Sequence, residues 1–242
     1  MFDHITLRVI DLLGANSAFT AILDELEIEQ ALSTPSFSLW GNFALTQKDD
    51  EHPIARRVHV AFIAPTPAHV DRFAQAGVHA GFADDGAAGP RPNYADDYYA
   101  AFLKDSAGNS FEAVHRAGER PRGNIDHTVI RVKDVEASTA FYSTIGAAAG
   151  LTIRRRSAER SMFSVGTSDG SFIVTAGEPT EHLHVAFSGK DDNVRRFHAD
   201  AVAAGYRSNG EPGERPQYHH GYYAAYVLDP DGNNIEVVDH HR

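Results

Sequence analysis

The 242-residue chain contains no cysteine. This absence excludes disulfides, thiolate metal ligands and a cysteine nucleophile. Long apolar runs are also missing, since no stretch approaches the roughly 18 residues that a membrane-spanning helix needs. Asp3 and His4 follow Met1 almost at once, which does not fit the apolar core of a signal peptide. We therefore expect a cytoplasmic protein that does not enter a membrane.

Positively charged residues are also fewer than negatively charged ones. The chain has 22 Lys and Arg against 33 Asp and Glu, a formal net charge of -11. A nucleic-acid surface would need a basic stripe, so we expect no nucleic-acid partner. Histidine, by contrast, is abundant, with 14 residues. Some of these are candidates for metal binding or acid–base chemistry.

Two stretches of the chain repeat each other. Residues Arg91–Val114 and Arg215–Val238 align without a gap, about 124 residues apart. The matched residues are Arg91 with Arg215, Tyr94 with Tyr218, Tyr98–Ala101 with Tyr222–Ala225, Asp105 with Asp229, Gly108–Asn109 with Gly232–Asn233, and Glu112 with Glu236. The chain is therefore interpreted as a tandem duplication with one architecture used twice.

Each repeated stretch predicts a β-hairpin. Tyr222–Leu228 has strand-forming residues, and Asp229–Gly232 is a turn in which Pro presets φ and Gly accepts positive φ. The return strand, Ile235–Val238, places the carboxylate of Glu236 among apolar neighbours. A buried carboxylate without a partner is too costly, so Glu236 is predicted to have one.

The same order of elements is predicted in both copies: strand, helix, strands, then strand, helix, strands. Asp3–Val9 and Asp126–Val132 alternate in hydrophobicity, as strands do, and Asp11 and Asp134 stand where helix N-caps are expected. The charged segment AGERPRGN predicts an interdomain linker. The predicted domains are residues 1–117 and 125–242, joined by a linker at 118–124.

A recurring trio of polar residues stands on these strands. Each copy has a His on its first strand, a His on a middle strand and a Glu on its last strand: His4, His59 and Glu112 in the first, and His127, His184 and Glu236 in the second. The two-residue alternation of a strand separates each of them from the apolar face. Two imidazoles and one carboxylate with open positions suit Fe²⁺, and also accept Mn²⁺, Ni²⁺, Co²⁺ or Zn²⁺.

The repeat decides between two neighbouring histidines, and a basic run nearby has two interpretations. His182 shares a strand face with His184, but the first copy has only Arg57 at its equivalent, which favours His184 as the ligand. Arg154–Arg156 is a basic run with two interpretations. It is either a solvated strand end or a clamp for an anionic substrate.

These motifs resemble the vicinal oxygen chelate superfamily, which includes glyoxalase I, bleomycin- and fosfomycin-resistance proteins and extradiol dioxygenases. The resemblance rests on the two Asp-His strand starts, the His-Val-Ala-Phe strands and the Asp-Pro-Asp-Gly-Asn-Asn-Ile-Glu ending. It implies an α+β fold of two tandem glyoxalase-like domains, each of paired βαβββ modules that form a U-shaped sheet around a divalent metal. It also implies that the trio of each domain holds that metal.

The subfamily is less defined. Glyoxalase I would add a second Glu, but the comparable positions around Ala44 and Val174 are apolar. The segment His219–Glu236 resembles the extradiol dioxygenase signature through Tyr226, Asp229-Pro230, Gly232 and Glu236, and departs from it at Gln217 and Ala225. In extradiol dioxygenases only the second domain keeps the metal, whereas here both trios are intact.

Candidate residues for chemistry cluster near the second hairpin. His219, His220, Tyr218 and Tyr226 are the candidate proton donors or acceptors. The candidate substrate-binding residues are Arg215, Tyr222, Tyr223, Tyr94 and Tyr98. For the tyrosines, ordinary strand packing is the alternative interpretation, and for Arg215 and Arg91 it is a plain loop role.

Three functions stay open. The first is a metal-dependent enzyme, either a dioxygenase or a lyase or isomerase, acting on a small oxygenated or aromatic substrate. The second is a drug- or metabolite-sequestering protein of the bleomycin-resistance kind, and the third is a degenerate binding module. The intact trios favour the first. Exposed sheet edges in such an architecture also predict pairing into a homodimer.

Overall fold

The computed structural model describes residues 1–118, 123–166 and 170–241. Residues 119–122 of the predicted linker lie outside the described residues. The strands are β1 (Phe2–Val9), β2 (Leu32–Ser33), β3 (Phe37–Trp40), β4 (Phe43–Gln47), β5 (His59–Ile63), β6 (Ala83–Pro90), β7 (Tyr99–Lys104), β8 (Ser110–His115), β9 (Ile125–Val132), β10 (Leu151–Arg156), β11 (Arg160–Val165), β12 (Ser171–Ala176), β13 (His184–Ser188), β14 (Ser208–Glu214), β15 (Tyr223–Leu228) and β16 (Asn234–Asp239). The helices are α1 (Leu12–Asp24), α2 (Pro67–His79), α3 (Val135–Thr144), α4 (Gly146–Ala149) and α5 (Asp191–Ala203).

The strands form two eight-stranded mixed sheets. The first sheet has the order β14-β15-β16-β13-β1-β4-β3-β2, and the second has the order β10-β11-β12-β9-β5-β8-β7-β6. The predicted α+β class, with tandem glyoxalase-like modules, is confirmed. Each module is a strand, a helix and a short run of strands, and two modules make one sheet.

The modules pair differently from the prediction that each half of the chain builds its own sheet. In the first sheet, β1 from the start of the chain runs antiparallel to β13 near its end. In the second, β5 runs antiparallel to β9, so the two middle modules of the chain pair. Four modules of similar sequence offer similar edge strands, so the repeat by itself does not specify which two share a sheet.

One face of each sheet packs against the helices, and the other lines a groove. On β1, Ile5 and Leu7 are fully buried in the core, while His4, Thr6 and Arg8 alternate with them and face the groove. The helices start where expected, because the Asp11 carboxylate accepts a hydrogen bond from the Gly14 amide, as Asp134 does from Ala137. Among the described residues, no helix is both long and apolar enough to cross a bilayer.

The repeated Asp-x-x-Gly-Asn turns attach each hairpin to the strand beside it. The buried Asn233 accepts a hydrogen bond from the Leu183 amide (3.1 Å) and donates one to Asp229 Oδ2 (3.0 Å). Asn109 accepts from the Val58 amide in the same way (3.1 Å). Leu183 and Val58 each directly precede a candidate ligand histidine. The turn therefore fixes the backbone that presents this histidine.

We predict that Asn233→Ala lowers the free energy of unfolding by about 1–3 kcal/mol, because the Leu183 amide would stay buried without an acceptor. Urea denaturation followed by circular dichroism measures the change. The exposed Asn93 provides the matched control, and Asn93→Ala should be neutral. Equal stability of the two variants would contradict the role assigned to the turn.

Candidate metal centres

The first centre lies where β1, β13 and β16 meet and contains His4, His184 and Glu236. The Nε2 atoms of the two imidazoles are 3.1 Å apart. Glu236 Oε2 lies 2.9 Å from His184 Nε2 and 3.6 Å from His4 Nε2. The strand register sets this geometry, because Ala186 of β13 pairs with both His4 and Glu236.

The second centre lies where β5, β8 and β9 meet and contains His59, Glu112 and His127. Glu112 Oε2 is 3.0 Å from His59 Nε2 and 3.4 Å from His127 Nε2. Here Ala61 of β5 pairs with both Glu112 and His127. In each centre the three ligand atoms lie within 4.8 Å of one another.

The six predicted ligands are all present in these centres, but their grouping by halves of the chain is wrong. His4 joins the last-strand Glu of the other half, and His127 joins Glu112. The reason is the exchange of modules between the sheets. A first-strand His always meets a middle-strand His and a last-strand Glu, but these come from the partner module of the same sheet.

An aspartate that precedes the first His holds the outer ring nitrogen of that His in both centres. Asp3 Oδ1 is 2.8 Å from His4 Nδ1, and Asp126 Oδ1 is 2.8 Å from His127 Nδ1. These contacts place the proton on Nδ1 and leave the lone pair of Nε2 available to a metal. This arrangement is typical of metal-ligating imidazoles. The repeated Asp-His pair at the start of β1 and β9 is the sequence signal for this supporting role.

The groups that hold these aspartates differ between the centres. His240 Nε2 lies 3.0 Å from both Asp3 oxygens, and its Nδ1 is 2.9 Å from His219 Nε2. Asp126 instead contacts the guanidinium of Arg116 at 3.1 Å. Behind Asp3 the first centre has two imidazoles, His240 and His219, whereas Asp126 of the second centre contacts a permanent cation. No local sequence pattern indicates these roles, because His240 lies far along the chain from Asp3 and Arg116 follows a hairpin without a motif of its own.

The pKa values of the histidines split in the same way in both centres. Burial lowers the pKa of His184 and His59, and the nearby glutamates offset only part of this effect. For His4 and His127, burial also lowers the pKa, but the aspartate hydrogen bonds and the carboxylate charges outweigh it and raise the value. Each centre thus pairs one imidazole whose pKa lies below the usual value with one whose pKa lies above it.

The second oxygen of each glutamate is held by a tyrosine. The Tyr222 hydroxyl donates to Glu236 Oε1 (2.7 Å), and the Tyr98 hydroxyl donates to Glu112 Oε1 (2.6 Å). Burial, together with the carboxylate charge and this hydrogen bond, raises the pKa of both phenols far above the usual value. The two tyrosines therefore stay neutral and orient the carboxylates, a more specific role than the substrate binding predicted for them.

Tyr226 distinguishes the first centre. It pairs with Glu236 across the ladder, and its ring lies 6.3 Å from that of His184. Phe102 occupies the matching place beside Glu112, with its ring 6.1 Å from that of His59. The Tyr226 hydroxyl is buried and has no well-directed hydrogen-bond partner among the described residues. Burial and the charge of Glu236 raise the pKa of Tyr226, so its phenol stays neutral and keeps its proton.

The other predicted residues around the first centre lie at different distances from it. His219 is half-buried against Tyr222 (ring centroids 5.2 Å apart), and Tyr218 is exposed with its ring 4.9 Å from that of Tyr222. His220 is exposed, and its carbonyl accepts from His219 Nδ1 (2.8 Å). Arg215 lies over the Tyr226 ring at 5.5 Å.

Tyr223 does not face either centre, which corrects its predicted substrate contact. Its ring lies 5.2 Å from the guanidinium of Arg195 on α5, on the opposite face of the sheet. One residue of offset from Tyr222 is enough to reverse the face. His182 likewise points to solvent with a left-handed backbone (φ 55°), so the choice of His184 over His182 agrees with the structure. Tyr94 lines the second groove beside Tyr98 (5.2 Å).

The donor sets fit a divalent metal. Glu236 Oε2 is buried and receives no well-directed hydrogen bond among the described residues, although two imidazole nitrogens lie near it. A cation would satisfy these three atoms together. The residues beside the centres on β4 and β12 that share the groove face are Ala44, Thr46, Ser171, Ile173 and Thr175. They supply no further carboxylate, so each set has three ligands and leaves coordination positions open.

Comparisons with known proteins agree with this architecture. Residues 124–237 match the family model described as Glyoxalase/Bleomycin resistance protein/Dioxygenase superfamily. Glyoxalase I from Zea mays is similar over 99% of this chain and 92% of its own, with 19% identity and a TM-score of 0.68. A glyoxalase/bleomycin resistance protein from Albidiferax ferrireducens T118 has 28% identity over 48% of this chain and 99% of its own, with a TM-score of 0.44. No curated protein gave a sequence match. The similarity to the Zea mays protein establishes the fold across nearly the whole chain.

We predict a pH-dependent contribution of Asp3 to stability. Burial raises its pKa, but the hydrogen bonds and charges of His4 and His240 outweigh burial and lower the value to about 2. Because the folded pKa lies below the unfolded one, the contribution is present above pH 4 and disappears as the pH falls toward 2. It amounts to about 2 kcal/mol.

Urea unfolding of metal-free protein at pH 7, 4 and 3 tests this effect. The stability gap between the parent and Asp3→Asn should narrow by about 1 kcal/mol from pH 7 to pH 3. Asp192→Asn is the control, since that side chain is fully exposed. A gap that is independent of pH would contradict the assignment.

Proposed function

We propose that the chain is a divalent-metal-dependent enzyme with two centres, a proposal supported by the match of residues 124–237 to the Glyoxalase/Bleomycin resistance protein/Dioxygenase superfamily. The proposed substrate is a small molecule with two neighbouring oxygen atoms. The observation that carries the proposal is the duplicated trio of two histidines and one glutamate, each with three ligand atoms within 4.8 Å of one another. The same supporting Asp and Tyr stand in both sets, which favours metal binding over a chance grouping of these residues.

The roles of the chain's own residues follow from their contacts. His4, His184 and Glu236 would hold one metal, and His59, Glu112 and His127 the other, with Fe²⁺ the best fit to the donors and Mn²⁺, Zn²⁺, Ni²⁺ or Co²⁺ also accepted. Bound there, the metal would supply Lewis-acid or oxygen chemistry. Asp3 and Asp126 fix the imidazole rings, while Tyr222 and Tyr98 fix the carboxylates.

Proton handling is assigned to Tyr226 in the first centre. Its neutral hydroxyl has no well-directed partner among the described residues and faces the same groove as Glu236. It would donate a hydrogen bond to a substrate oxygen. His219 is a positioning residue in this proposal. It contacts His240, which in turn holds Asp3 behind His4. Phe102 leaves the second centre without an equivalent donor at this place.

A sequestering role is the second candidate. The observation that favours it is the exposure of Tyr94 and Tyr218, at 66% and 61%, beside the two grooves. Exposed rings at a cleft are suited to stacking on a bound ligand. Such a protein would bind its ligand equally well after removal of the metal.

We predict that the protein retains two metal ions per chain and that paired substitutions reveal the grouping. His4→Ala and Glu236→Ala should each lose one ion, and the double variant should lose the same single ion. His4→Ala with Glu112→Ala should lose both, because these residues belong to different centres. Elemental analysis after anaerobic loading with Fe²⁺ and dialysis gives the count.

His182→Ala is the control for these substitutions and should retain both ions, since that side chain points to solvent. Loss of only one ion from the His4 and Glu112 double variant would contradict the grouping. No retained ion in the parent would overturn the proposed enzyme and favour the sequestering role.

We predict that Fe²⁺-loaded protein binds 4-nitrocatechol, which has two adjacent oxygens, at least about ten-fold more tightly than 4-nitrophenol. In a Glu112→Gln background, which leaves only the first centre, Tyr226→Phe should weaken 4-nitrocatechol binding about five-fold by removing one hydrogen bond. The visible absorption of the probe reports its binding. Tyr223→Phe, on the opposite sheet face, should have no effect. Equal affinity for both probes would contradict a chelated substrate.

A further inference from the structure

The groove above the second centre concentrates positive charge. The described residues that line this cavity, of about 750 Å³, include seven Lys and Arg, in a chain whose net charge is -11. They are Arg57, Lys104, Arg116, Arg131, Arg154, Arg155 and Arg160. Among the described residues, three carboxylates line the same cavity: Asp85, Glu112 and Asp126. A basic groove on an acidic protein selects and attracts anionic ligands.

Part of this charge is already paired. Arg57 contacts Glu181 at 2.6 Å and Glu178 at 3.4 Å, Lys104 contacts Asp85 at 3.5 Å, and Arg116 contacts Asp126.

Three further arginines of the groove are Arg131, Arg155 and Arg160. They have no ion pair within residues 1–118, 123–166 and 170–241, and all three are exposed. Three guanidinium groups in one concave wall are therefore available to an external anion.

The strand register places these arginines on one face with the ligand His127. Arg131 lies four residues from His127 along β9, about 13 Å away, and two residues from Val129, the partner of His59. Thr175 pairs with both Arg131 and Arg160, which aligns them across the sheet. Arg155 pairs with Met162 on the next strand.

The groove of the first centre has the same framework without this charge. Arg8 corresponds to Arg131. Across the sheet Arg8 pairs with Thr46, which pairs with Phe37, and Phe37 takes the place that Arg160 has in the second groove. The Thr6 ladder continues through Ala44 and Leu39 to Leu32, where the second groove has Arg155. At these two positions the first groove therefore has apolar side chains and the second groove has cations.

We propose that the groove of the His59, Glu112 and His127 centre binds a small molecule carrying two or more negative charges. Arg131, Arg155 and Arg160 recognise its anionic end, and Arg131 lies about 13 Å from His127 along β9. The proposal rests on the proposed function for the chemistry at the metal, and it makes the two centres selective for different ligands. One of the two interpretations of Arg154–Arg156, the anionic clamp, gains support for Arg155. Arg156 instead pairs with Glu136 outside the groove.

Isothermal titration calorimetry on metal-free protein tests the proposal with benzoate, isophthalate and benzene-1,3,5-tricarboxylate as probes. Affinity should rise with each added charge and fall steeply between about 20 mM and 500 mM salt. Arg155→Leu and Arg160→Phe, which copy the first groove, should each weaken tricarboxylate binding about ten-fold.

Arg160→Lys keeps the charge and should keep most of the affinity, which separates lost recognition from a damaged fold. Arg156→Ala is the matched control on the same strand and should bind as the parent does. Equal affinity for all three probes, or an equal loss in Arg156→Ala and Arg155→Leu, would overturn the proposal.

The two proposals can fail separately. Charge-dependent binding by a protein that retains no Fe²⁺ would leave the anion groove standing and remove the metal-dependent enzyme. Two retained Fe²⁺ ions with no preference for charge would leave the enzyme standing and remove the anion groove.

Discussion

The antiparallel junctions β1–β13 and β5–β9 are the contacts on which the candidate chemistry depends. Each junction brings a first-strand histidine beside a middle-strand histidine, and the parallel neighbour of the middle strand adds the glutamate. Without these junctions each module would carry at most two of the three ligands. The ladder hydrogen bonds that join two modules therefore also assemble the centre, so folding and site formation are one event.

Burial of a carboxylate between two imidazoles is costly, and much of the surrounding polar structure offsets this cost. Glu236 and Glu112 are 1% and 2% exposed. Each has a tyrosine on one oxygen and histidines near the other, and an aspartate orients one histidine from behind. The same contacts that make the carboxylate tolerable in the fold also prepare a donor set for a divalent cation.

The two centres share this framework but diverge in the residues that touch their surroundings. Tyr226 is matched by Phe102, His240 by Arg116, and Phe37 by Arg160. The differences lie outside the trio itself. Duplication preserves the buried constellation, and in the proposed function the differing groove walls make the two centres accept different ligands.

The sequence by itself determined the duplication, the α+β class and the identity of all six candidate ligands. Local pattern was sufficient here, because strand alternation and the Asp-x-x-Gly-Asn turn depend on neighbours along the chain. It failed at Tyr223, where an aromatic repeat does not reveal which face each ring occupies until the pairing register is set.

Only the tertiary structure decided which ligands belong together, that Asp3 and Asp126 support them, and that Arg131, Arg155 and Arg160 share one wall. These relations join residues far apart in the chain, such as His4 and Glu236. They depend on which edge strands pair. The free energy of the whole fold determines which of the four similar modules share a sheet, and no local sequence pattern indicates this pairing.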